Sequence, residues 1–198
     1  MKRFVLIFLV MIMVISLSAE SALTRSYNYE YNYQYTAAIE AMQSLIEASP
    51  KDVFYNLRLG WLYSLNGDYA NSEKYYTTAN KLDKCLEAQE GLLNVAYATG
   101  QWEKVILLSD EIIKKYPQNT TVLFKKGYAF FAKKEWDKAA KMFSTVINIY
   151  PYNLDSRCYL LACQLYSGDM MNAKKSYEFI KRYSPTCAYL EEYEASLK

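Results

Sequence analysis

The side chains with the most chemistry to offer are four cysteines, Cys85, Cys158, Cys163 and Cys187. They show no C-x-x-C spacing, so neighbouring cysteines supply neither a dithiol redox motif nor a zinc knuckle. The chain has no histidine. That removes imidazole acid–base work, the Ser-His and Cys-His nucleophile arrangements, and nearly all common zinc and copper sites. No Gly-rich phosphate loop and no G-x-S-x-G occurs. Carboxylate pairs such as Glu191-Glu192 fall in a stretch that reads as an exposed helix, where they are solvated rather than catalytic. Asn119-Thr120-Thr121 matches a glycosylation acceptor, which matters only in an exported eukaryotic chain. The expectation is a chain without catalysis, metal or small-molecule cofactor.

The elements that carry these residues repeat. All four prolines, Pro50, Pro117, Pro151 and Pro185, fall on a ruler of 34 residues, with gaps of 67, 34 and 34. Tyr35, Tyr69, Trp102, Trp136 and Met170 keep the same beat, with gaps of 34, 33, 34 and 34. Such a period means that one supersecondary unit is stacked several times. Around Gly60, apolar and small residues at steps of three and four give a helix before Gly67 and another after it. Gly67-Asp68 is the turn between them, with Asp68 placed to cap the second helix. Gly60 sits inside the first helix, where glycine costs about 1 kcal/mol relative to alanine; the partner helix must need that space. The pattern returns at Gly100-Gln101-Trp102, Lys134-Glu135-Trp136 and Gly168-Asp169-Met170, with Gly127 standing where Gly60 stood. Each proline ends a second helix. Asp52, Asn119 and Asn153 follow two residues later, placed to cap the next helix. Cys158 then falls near the start of one helix and Cys187 just past the end of the helix that packs on it. Those two could meet in a disulfide; the other reading leaves them as buried thiols.

These residues resemble the tetratricopeptide repeat: a Leu-Gly pair and a Tyr or Phe in the first helix, Gly-Asp-Tyr or Glu-Trp at the turn, a small residue in the second helix, and a closing proline. The match spans about residues 33–187. It implies an all-α superhelix, an α-solenoid of antiparallel helix pairs, with units at 53–85, 86–119, 120–153 and 154–187. A partial repeat helix at 36–52 precedes them, and an amphipathic capping helix at 188–198 follows. Departures are a residue missing between Tyr69 and Trp102, Lys84 in place of a closing proline, and Leu160-Leu161 in place of Leu-Gly. The register of 86–119 is open by one residue at Leu92-Leu93-Asn94.

The resemblance also implies a ligand along the concave side, formed by the first helices. By position that puts Phe54, Leu57, Trp61 and Leu65 there, then Tyr97, Phe124, Tyr128 and Phe131, then Leu165 and Tyr166. Leu59, Tyr63, Phe130 and Phe143 fill the core on the same register. An aromatic concave surface suits an extended or helical apolar peptide. Some family members take acidic C-terminal peptides through lysines and asparagines; Leu57 and Trp61 stand where such groups would be needed, and Lys125 and Asn94 alone do not restore them.

The ends bound the setting. Lys2-Arg3, the apolar run 4–15 and small residues beyond it read as a secretory signal peptide over 1–19, cut after Ser18 or Ala19, with Ala22 as a later cut. Its twelve to fourteen strongly apolar residues are short for a permanent span; an uncleaved anchor is the other reading. Without Lys2 and Arg3, 21 basic residues face 21 acidic ones. A neutral chain has little pull on nucleic acid or anionic membranes. In the segment 20–35, Tyr27, Tyr29, Tyr31, Tyr33 and Tyr35 alternate with polar residues. As a strand it would place five rings on one face for edge pairing with another chain; otherwise it is a mobile end or an irregular first helix against 53–85. The function expected from all this is a non-catalytic, exported scaffold, periplasmic or secreted, for a protein or peptide partner. The alternative is a membrane-tethered or self-assembling structural component of an envelope complex.

Overall fold

A computed structural model of the protein describes residues 21–197; the leader read at 1–19 lies outside the described residues. Every regular element among them is an α-helix. The described residues divide into two compact units, one ending at Asp83 and the other beginning at Lys84. Unit 1 holds α1 (Ala22–Tyr31), α2 (Tyr35–Ala48), α3 (Val53–Leu65) and α4 (Tyr69–Leu82). Unit 2 holds α5 (Leu86–Ala98), α6 (Trp102–Lys115), α7 (Thr120–Ala132), α8 (Trp136–Ile149), α9 (Leu154–Ser167), α10 (Met170–Tyr183) and α11 (Tyr189–Ala195). The division falls where Lys84 stands in for a closing proline.

The beat read from the sequence marks the first residue of every second helix: Tyr35, Tyr69, Trp102, Trp136 and Met170 open α2, α4, α6, α8 and α10. Each is preceded by the same turn. A residue with positive φ (Tyr33, Gly67, Gly100, Lys134 or Gly168) lets the backbone reverse. The amide after it then donates to the carbonyl five residues back, as Asp68 N–H does to Tyr63 O at 2.9 Å and Glu135 N–H to Phe130 O at 2.9 Å. This bond satisfies a carbonyl that the ending helix would otherwise leave open. Asp52, Asp68, Asn119, Asn153 and Asp169 cap their helices by accepting the backbone N–H three residues on.

Cores form between paired helices. In unit 1, Ala38, Ile39, Met42, Ile46, Leu59 and Leu62 make one cluster. Gly60 gives α4 its close approach, since a Cβ there would meet the Tyr76 ring at 2.9 Å. The buried Ser72 hydroxyl donates to the Gly60 carbonyl at 2.7 Å. In unit 2, Gly127 does the same for Phe143, and Ala139, Phe143, Phe130 and Cys163 close the core beside it. Leu161, Ala173, Tyr177, Ile180, Leu190 and Tyr193 form the last cluster, where α11 packs on α9 and α10. Cys158 and Cys187 are joined in a disulfide with their Cα atoms 5.9 Å apart. Cys163 is a buried free thiol and Cys85 a half-buried one.

The first pair departs from the sequence expectation. Residues 22–31 are a helix, which overturns the strand and the mobile end. Of the first-helix alternative, only the irregularity fails, since the helix is regular, sets its Tyr27 ring against Arg58 of α3, and has α2 packed back on it. Unit 1 therefore opens with a whole hairpin, not a lone second helix at 36–52. Ser21 caps α1 by accepting from Thr24 N–H at 3.0 Å. The period of two is overridden because α1 has tertiary partners: Ser26 is fully buried, and Tyr27 and Glu30 meet α3.

Candidate functional site

In unit 1 the face made by the first helices is half committed to holding α1. Arg58, with its side chain only 5% exposed, pairs with Glu30 and donates through Nη2 to Ser26 Oγ at 3.1 Å. Its guanidinium lies 3.8 Å from the centre of the Tyr27 ring. Trp61 Nε1 donates to the other Glu30 oxygen at 2.7 Å. The indole is still 44% exposed and Phe54 46%, while Leu57 and Leu65 are half-buried. Leu65 joins Tyr27, Tyr31, Tyr33 and Tyr35 around an open cleft of about 740 Å³. Tyr31 and Tyr33 there are 84% and 80% exposed.

In unit 2 the corresponding face is a continuous sheet of rings. Tyr97 and Tyr128 lie 5.3 Å apart, and Trp102 packs on both at 5.8 and 5.6 Å. Tyr128 and Phe131 each touch Tyr159, at 5.4 and 5.2 Å. Phe131 also touches Trp136 at 5.2 Å, and Trp136 touches Tyr166 at 4.9 Å. Tyr189 of α11 closes the series, 6.1 Å from Phe131, 6.0 Å from Tyr159 and 6.3 Å from Tyr166. Most of these pairs are edge-to-face or tilted, the arrangement that the ring quadrupole favours. Tyr97, Tyr128 and Phe131 are half-buried, Tyr166 is 40% exposed, and Leu165 packs down on the Leu161 cluster.

Phe124 lines an open pocket with Thr120, Thr121 and Lys125. Like Tyr128 and Phe131 it also packs on the buried cluster beneath the face, its ring 5.5 Å from the fully buried Phe143 and 5.8 Å from Tyr159. Trp102, Trp136, Tyr159 and Tyr189 belong to the face and were missed. In the sequence the tryptophans mark turns, Tyr159 precedes the Leu-Leu pair in a first helix, and Tyr189 lies in what reads as a cap.

Electrostatics leave this face nearly neutral. Burial pushes the Tyr97 phenol up to about 12, helped by the neighbouring Tyr128 and Tyr159, and burial likewise moves Tyr189 to about 12. Both phenols therefore stay protonated across the physiological range. One polar corner interrupts the rings. Lys125 donates to Asn94, Asn119 Nδ2 donates to Glu90 Oε1 at 2.7 Å, and burial holds the Lys125 ammonium below its usual pKa, opposed by Glu90. No cluster of ligand side chains suited to a metal ion occurs among the described residues.

Paired helices on a 34-residue beat, closed by one recurring turn, define a helical-repeat protein. Tetratricopeptide-repeat models match residues 55–84 and 121–151, so the chain carries tetratricopeptide repeats at those two places. No curated protein matches it. Among solved structures, a tetratricopeptide-repeat protein from Parabacteroides merdae is similar at 15% identity with a TM-score of 0.77, over 89% of this chain and 70% of that one. MamA, residues 41 to the end, from Desulfovibrio magneticus RS-1 is similar at 14% identity with a TM-score of 0.72, over 86% and 92%. At these identities the likeness is one of fold.

Proposed function

We propose that this protein is a non-catalytic docking scaffold that takes an extended or helical apolar segment of a protein partner on the ring-lined face of unit 2. The observation that carries the reading is the continuous run Tyr97, Tyr128, Phe131, Tyr166, which stays partly open to solvent although each ring touches others. Large rigid rings with few rotatable bonds lose little entropy on binding, so they serve as anchors. In unit 1, Trp61 and Phe54 offer a smaller second contact.

The setting proposed is outside the cytoplasm, periplasmic or secreted, after removal of a leader over 1–19. The disulfide supports an oxidising compartment. A cut after Ser18 or Ala19 keeps Ser21 as the cap of α1, whereas a cut after Ala22 removes it. Mass spectrometry of the N-terminus decides this, and intact Met1 in a membrane fraction returns the tethered reading.

The docking reading is tested with photo-crosslinking side chains placed at Tyr97 and Tyr166, and at Tyr150, which is exposed at the end of α8. In the native compartment, the first two positions are expected to capture one discrete partner and the third none. Equal capture at all three overturns the reading.

A further inference from the structure

The C-terminal helix α11 is more than a cover for the last repeat. It has seven residues, of which Leu190 and Tyr193 enter the core. Its first residue, Tyr189, sits at the edge of that core and lays its ring on Phe131, Tyr159 and Tyr166, three members of the ring-lined face. One turn on, Glu192 accepts a hydrogen bond from the Tyr166 hydroxyl at 3.0 Å. The helix thus lays an aromatic anchor among the rings and a carboxylate on the face's most exposed phenol. That is how a helical ligand engages a groove.

The helix is tethered two residues before that anchor. Cys187 is bonded to Cys158 of α9; α10 holds the helix through the run 184–188, the Tyr177 ring stacked on Tyr193 at 4.5 Å, and Glu194, which accepts from the Tyr177 hydroxyl and pairs with Lys181 at 3.2 Å. Cys187 is almost fully buried, but Cys158 is half-buried and offers the approachable sulfur.

We infer that α11 is a tethered self-ligand of the ring-lined face, and that reduction of Cys158–Cys187 frees its place for a partner helix bearing a tyrosine with a glutamate three residues on. The inference rests on the docking reading given above and names both the partner's chemistry and the control of access. The exchange is a thiol–disulfide reaction with a dithiol. One thiolate of the dithiol attacks the Cys158 sulfur, the Cys187 sulfur leaves and is protonated, and the second thiol of the dithiol then displaces the Cys158 sulfur. The protein gains two electrons and two protons as two thiols, and the dithiol becomes a disulfide. Cys85 and Cys163 are already thiols and take no part.

The test uses the mature full chain, oxidised or reduced with dithiothreitol, and a fluorescent peptide of residues 186–198 carrying C187S. On reduction, amide exchange across 189–195 is expected to quicken about tenfold or more while that of α5 to α8 holds. The peptide is expected to bind the reduced chain about tenfold more tightly than the oxidised one, and a Y189A peptide to lose that binding. Tyr189→Ala in the oxidised full chain opens the same corner without touching sulfur, so it too is expected to admit the peptide. Unchanged exchange on reduction, or equal peptide affinity in both redox states, overturns the inference. Crosslinking at Tyr97, remote from α11 along the ring series, reports on docking alone. Its failure with a redox-responsive α11 removes the docking reading and leaves the tether, whereas partner capture with a fixed α11 removes only the tether.

Discussion

In unit 1 the first helices α1 and α3 meet through Arg58, Glu30, Ser26 and Trp61, while in unit 2 the first helices α5, α7 and α9 meet through Tyr97, Tyr128, Phe131 and Tyr159. The two solutions respond differently to damage. A buried ion pair is a closed set: remove one member and the other is left charged in a poor dielectric. A ring network spreads its energy over many contacts, each worth about 0.5–1.5 kcal/mol beyond area burial, so one edge ring is dispensable. The tolerant arrangement is the one suited to presenting a surface, since partners can displace or add rings without leaving a charge stranded.

The harshest way to break the contrast strikes the core beneath the rings. Ala139 has no exposed surface, so Ala139→Glu is expected to cost about 4 kcal/mol or more and to melt unit 2, read by thermal denaturation followed by circular dichroism. Glu30→Gln comes next. It leaves the Arg58 guanidinium without its counter-charge and is expected to cost about 3 kcal/mol, whereas Arg58→Met, which removes the charge that needs pairing, is expected to cost well under half of that. Equal losses in urea denaturation would show that α1 is held by packing and not by the pair.

Within the rings, Phe124→Ala is expected to cost about 2–3 kcal/mol because it undercuts Phe143, but Tyr166→Ala less than about 1 kcal/mol. A Phe124→Ala chain as stable as the parent would show that the ring serves the groove alone. A smaller effect of opposite sign is expected at Lys134, which holds φ 61° where other turns have glycine. Lys134→Gly should stabilise by about 0.5–1 kcal/mol, seen as a raised Tm. Smallest is an acid effect at the caps. The Asp68 and Asp169 carboxyls are held below their usual pKa, first by the side-chain amides of Asn71 and Asn172 and then by the backbone N–H of the same residues. Their contribution is whole above the unfolded value, about pH 4, and is lost as pH falls through the folded values. Asp68→Asn with Asp169→Asn keeps an acceptor without the charge, so the double variant should lose less Tm than the parent on acidification.

The repeats were legible because chain reversal demands rare backbone shapes and helix ends demand caps, and both leave residue types behind. Gly67, Gly100 and Gly168, the prolines and the Asp and Asn caps carried that signal. The first hairpin was hidden where the signal lapsed: Tyr33 takes the positive φ in place of glycine, and the alternating tyrosines imitate a strand. Tyr35 already kept the beat and was the clue to a turn just before it. The face was only half legible, because position in a repeat says which helix side a ring is on but not how far it sinks. Phe124 rests on Phe143 while still lining an open pocket, and Tyr189 joined from another element altogether, which no periodicity could announce.

Lys84 in place of a proline has one more outcome. Leu82, Asp83 and Lys84 are uncovered, belong to no helix after Leu82, and lack the rigid ring that stiffens the other links. A trypsin-like protease can enter there without first unwinding anything, and its cut after Lys84 parts the polypeptide into pieces that each retain their own apolar clusters.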